Sequence, residues 1–113
     1  MGDIQVLLSF VNCSEADGDR FADSFVEAVR DIDKSIGLER RRQKSDTQDF
    51  GASLAVVLGT AAARSLAKGI AAWLARNSGA DLEISCRGAV VLRANHLDSK
   101  DIPRIVAALK ECE

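Results

Sequence analysis

At 113 residues and 12.1 kDa the chain has the size of one domain, and 47% hydrophobic with 28% charged residues excludes a disordered tail. Fifteen basic against 17 acidic residues give a net charge of −2, which excludes a global attraction for nucleic acid or an anionic membrane. Aromatics are only 4%, so the large side chains that line ligand pockets or stack on bases are scarce.

Residues 4–11 predict a buried strand. Ile4, Val6, Leu8 and Phe10 share one face, and Leu7 and Val11 make the other face apolar enough for a central position. Ser14 then stands where a helix N-cap would, with Glu15 and Asp17 in the first turn. Phe21, Phe25, Val29 and Ile32 form the apolar stripe of that helix, and Gly37 punctuates its end.

Residues 38–44 are polar and read as a short edge strand, followed by a loop over 45–49. Residues 50–77 read as helix by composition: nine of the 17 alanines lie between Phe50 and Arg76. Gly59-Thr60 divides that segment into two helices or one kinked helix, and Leu66, Ile70, Trp73 and Leu74 mark its buried side. Leu82, Ile84 and Cys86 alternate with polar residues, Arg87-Gly88 is a turn, and residues 89–94 return as the second strand of a hairpin. Asp98 or Ser99 caps a last helix with Pro103 in its first turn and Ile102, Ile105, Val106 and Leu109 inside.

The predicted order is therefore β-α-β-α(α)-β-β-α, one domain over residues 1–113. Right-handed crossovers predict an α/β sandwich whose first three strands are parallel, with a fourth antiparallel strand added by the hairpin. The expectation is a four-stranded mixed sheet of order 2-1-3-4.

Four features bear on chemistry. Arg40, Arg41, Arg42 and Lys44 place four cations in five positions, a candidate surface for an acidic protein partner; Glu39 and Asp46 flank them and no aromatic is interleaved, which argues against nucleic acid. An edge strand also carries such charge simply to block unwanted pairing. Residues 50–63 run for 14 positions without a charge, short of the roughly 20 that span a bilayer, and read as a core helix. Cys13 follows the first strand and precedes a helix N-terminus, where a thiol pKa can fall, whereas Cys86 alternates like a small core residue. The single histidine, His96, reads as a loop residue.

No Gly-rich phosphate loop, calcium loop or paired-cysteine metal spacing occurs, so no catalytic, cofactor or metal residue is assigned. Three cysteines, Cys13, Cys86 and Cys112, without close spacing read as reduced thiols. The N-terminus shows neither the basic region nor the cleavage site of a secretory leader. Both expectations point to the cytoplasm.

Phe50-Gly51-Ala52-Ser53-Leu54-Ala55-Val56-Val57-Leu58-Gly59 leads to an Ala-rich segment ending Ala71-Ala72-Trp73-Leu74-Ala75-Arg76. Leu82-Glu83-Ile84, a Gly turn, a second strand and an Asp-rich approach to the final helix follow. Over residues 38–110 this order resembles the effector-associated constant component family of bacterial conflict systems, which act in antiviral defence. The resemblance implies a non-enzymatic adaptor or sensor-side component that regulates a partner effector encoded nearby, peptidase-like or caspase-like, with self-association as a further expectation. It transfers no functional residue. The alternatives are a small thiol-dependent enzyme or redox sensor centred on Cys13, and a membrane-surface protein using residues 50–75.

Overall fold

The computed structural model describes residues 3–41, 53–95, 97 and 99–113. Five strands and three helices follow one another as β1 (Asp3–Val11), α1 (Glu15–Ile32), β2 (Gly37–Arg41), β3 (Ser53–Gly59), α2 (Ala63–Arg76), β4 (Asp81–Cys86), β5 (Ala89–Ala94) and α3 (Ile102–Lys110). Short 3-10 turns, Thr60–Ala62 and Ser99–Asp101, lead into α2 and α3. The strands form one sheet of order β2-β3-β1-β4-β5, antiparallel at every junction.

The α/β class and the central place of the first strand agree with the sequence reading. The four-stranded mixed sheet of order 2-1-3-4 does not. Ser53–Gly59, read as helix, is a strand, and it lies between β2 and β1. β1 and β2 still run in the same direction on either side of α1, as a crossover requires, but β3 is inserted between them with the opposite direction. β3 and β4 are likewise split by β1. Two crossover units thus interlock, and each fills the gap in the other. The physical reason for the misreading is composition. Alanine raised the helix propensity of the whole 50–76 segment, yet Val56 and Val57 are β-branched and the burial alternates along Leu54, Val56 and Leu58.

Every second residue of the sheet faces the helices. Ile4, Val6, Leu8 and Phe10 pair or neighbour Leu58, Val56 and Leu54 on one side and Ile84 and Leu82 on the other, and all are buried. α1 starts as read: the Ser14 hydroxyl accepts from the Asp17 amide at 3.1 Å. Its inner face carries Gly18, Ala22, Phe25 and Val29. α2 packs between α1 and α3. At Gly69 an added Cβ would lie 3.2 Å from Val29 Cγ2, so the absent side chain lets α1 and α2 approach closely.

The aromatics among the described residues are concentrated rather than scattered. Phe10, Phe21 and Phe25 surround Trp73 with ring centroids 5.3–5.6 Å away and near edge-to-face angles. The Trp73 indole N–H donates to Ser24 Oγ at 2.8 Å, so its one polar atom is paired. The Arg87-Gly88 turn has φ of 53° and 79°, the left-handed pair that suits a two-residue hairpin. A bulge follows it: Ser85 pairs with Val90 but Ile84 with Leu92, which leaves Val91 as the extra residue of β5.

Cys86 and Cys112 form a disulfide with Cα atoms 5.9 Å apart, which corrects the expectation of three reduced thiols. A separation of 26 residues gave no spacing signal; tertiary packing brings the end of β4 against the residue just beyond α3. Cys13 is the free thiol.

Candidate functional site

The helices cover one face of the sheet, and among the described residues no helix packs on the other. The opposite face is built from the alternate positions, and the register arranges them in rows across the strands. One row runs Glu39, Ala55, Leu7, Ser85 and Val90. The next runs Arg41, Ser53, Ser9, Glu83 and Arg93. A third places Gly37, Val57 and Gln5 side by side.

The first row is mixed, with Ala55, Leu7 and Val90 beside Glu39 and Ser85, and its neighbour is polar throughout. Val57 and Val90 are 44% and 46% exposed, two of the three large hydrophobics so placed in the described residues. Polar groups in both rows are bonded within the sheet. Ser9 Oγ and Ser53 Oγ lie 3.2 Å apart, and Arg93 Nε stands 3.3 Å from Glu83 Oε2 across β4 and β5. Ser85 Oγ donates to the Leu7 carbonyl at 3.4 Å. Such a surface suits a flat protein contact: side chains already held in place lose little rotamer freedom on docking.

Arg40 and Arg41, the members of the basic run among the described residues, face opposite sides of the sheet. Alternation along β2 sends Arg40 to the helix side and Arg41 to the uncovered side. Arg40 bridges back to α1, paired with Asp19 and, at 3.3 Å, with Asp23. It is therefore engaged within the chain, and of the two described members Arg41 faces the same side as Glu39. Arg42 and Lys44 lie outside the described residues, as do His96, Asp46 and the first three positions of the apolar run at 50–63. The edge position expected for this segment is observed: β2 is one margin of the sheet.

Cys13 Sγ points toward the Phe10 carbonyl at 3.7 Å. Burial pushes its pKa up, and the Asp17 and Asp81 carboxylates add to that. Burial first, and then the two carboxylates, thus oppose the helix N-terminus, which favours a thiolate. Asn12, in the left-handed region at φ 57°, donates to Asp81 Oδ2 at 2.9 Å beside it. Asn12, Asp81, Glu83, Arg93 and Asn95 border a shallow cavity of about 140 Å³, below the roughly 300 Å³ at which ligand pockets begin.

The continuous amphipathic helix required for a membrane-surface role over residues 50–75 does not form, since Ser53–Gly59 is an inner strand. No helix among the described residues is long and apolar enough to cross a membrane. No group of three or more His, Cys, Asp or Glu among the described residues is placed to hold a metal ion.

Val57 and Val90 were not singled out by sequence reading. The signal for Val57 was its out-of-phase position between Val56 and Leu58, legible once residues 53–59 are taken as a strand. Val90 was obscured by the bulge, which shifts the phase of β5 in mid-strand. No family model matches the chain, and neither a curated protein nor a solved structure gives a significant match.

Proposed function

We propose that the chain is a non-enzymatic adaptor or sensor-side component of a bacterial conflict system, of the effector-associated constant component kind, that docks on a partner effector in the cytoplasm. The observation that carries this reading is the sheet face on which no helix packs among the described residues. Leu7, Ala55 and Val90, with Val57 in the adjoining row, supply apolar contact interrupted by Ser85, and Arg41, Glu83 and Arg93 supply charge in the row on the other side. An apolar centre with a polar flank is the anatomy of a protein–protein contact. A surface of this kind serves either a second copy of the chain or an effector encoded nearby, and the resemblance over residues 38–110 favours the effector.

The test is light scattering after size exclusion, with the protein alone and mixed with the product of the adjacent gene. Complex formation that is lost in Val57→Asp, with the circular dichroism of the variant unchanged, is the expected result. A protein that stays monomeric and binds no neighbour rules the reading out.

A further inference from the structure

We infer that the Cys86–Cys112 disulfide is a redox-operated latch on the C-terminal helix, opened by a dithiol reductant that enters at Cys86. The inference stands on the fold and is independent of the docking face.

The disulfide joins the last residue of β4 to a cysteine two positions beyond α3, so it encloses β5, the Ser99–Asp101 turn and α3. α3 has nine residues, too few to persist as a helix without tertiary support. No backbone ladder ties it to the sheet; Ile105, Ala108 and Leu109 hold it by packing alone. The other fastenings near its end are slight. Arg87 donates to the Glu113 carbonyl at the surface, and Cys112 N–H bonds the Leu109 carbonyl within the terminal turn. The disulfide adds a covalent restraint to the packing of Ile105 and Leu109 in the core.

The two sulfurs differ in access. Cys112 is buried at 5% exposure, while Cys86 is half-buried at the end of an outer hairpin. A thiolate of the reductant attacks Cys86 Sγ, the Sγ–Sγ bond breaks, and Cys112 leaves as a thiolate that takes up a proton. The second thiol of the reductant, as thiolate, then attacks the mixed disulfide at its own partner sulfur and releases Cys86, which is protonated in turn. The reductant ends as a disulfide, and Cys86 and Cys112 each gain one electron and one proton. Cys13 takes no part: it stands beside Asp81, at the opposite end of β4 from Cys86. Once released, α3 opens locally and uncovers the inward side of β5 at Leu92 and Ala94.

Hydrogen exchange read by mass spectrometry on the full chain, air-oxidised and treated with dithiothreitol, tests this. Amides of α3 are expected to exchange at least on the order of a hundredfold faster after reduction and to gain more than those of α1 and β1, which speed up only through the loss of global stability. The double variant Cys86→Ser/Cys112→Ser should show the fast behaviour under both conditions; should it fail to fold, the wild-type pair of measurements still decides. Glutathione, as a monothiol, should be trapped on Cys86 rather than Cys112. Equal exchange in both redox forms, acceleration spread evenly through α1, α2 and β1, three titratable thiols in the air-oxidised protein, or glutathione trapped on Cys112 would each overturn the latch.

Discussion

The two faces of the sheet are made by the same strands, one residue out of phase, and they differ in almost every physical respect. On the covered face Ile4, Leu8, Leu54 and Ile84 are fully buried and packed against three helices. On the uncovered face Val57 and Val90 remain nearly half exposed, and the polar groups pair with one another across strands. The covered face therefore carries most of the stability of the fold, and the other face holds exposed Val57 and Val90 beside the buried Ser53. A sheet with one face of each kind separates these two environments by a shift of a single residue.

That contrast can be broken by substitution. Removing the disulfide in the Cys86→Ser/Cys112→Ser variant should cost about 3.5 kcal/mol for a loop of 26 residues. Leu8→Ala removes a buried side chain from the central strand and should cost about 3 kcal/mol, read from the urea midpoint. A loss below about 1 kcal/mol would mean that the covered face is not the core. Trp73→Phe discards the bond to Ser24 and part of the ring cluster, and about 1–2 kcal/mol is expected by thermal unfolding.

On the other face Val57→Thr should change stability by no more than about 0.5 kcal/mol. A large destabilisation there would show that the face is part of the core after all. Arg40→Gln breaks exposed ion pairs to α1 and should cost about 0.5 kcal/mol, less at high salt. The smallest effect concerns pH. The Ser35 hydroxyl and amide hold the Asp33 pKa below its ordinary value. A carboxylate with a lowered folded-state pKa contributes stability above its unfolded pKa and loses it as pH falls through the folded value. Asp33→Asn should therefore flatten a slight decline of stability on the acid side of pH 4 and leave stability near pH 7 to 9 without a new slope; a changed slope at alkaline pH would contradict this.

Much of the fold was legible in the chain. The strand at residues 4–11, the helix opened by Ser14, the Arg87-Gly88 hairpin and the last helix all carried local signals: alternation, a capping side chain, a turn with glycine, and proline in a first turn. Residues 53–59 failed because an inner strand flanked on both sides is apolar without clear periodicity, and alanine-rich surroundings tipped the balance toward helix. The basic run was legible as an edge but not as two faces. Its adjacency in sequence hid the alternation that sends Arg40 to Asp19 and Asp23 and leaves Arg41 outside.

The alanine concentration and the scarcity of aromatics were properties of the chain alone, and so were its strand and helix signals, because each depends on neighbours within a turn or two. Tertiary structure decided the rest. It inserted β3 between β2 and β1, gathered Phe10, Phe21, Phe25 and Trp73 into one cluster, and brought Cys86 to Cys112. These are pairings between residues far apart in the chain, and no local preference encodes them. They follow from which apolar faces can be buried together, a choice made only when the whole sheet and its helices pack.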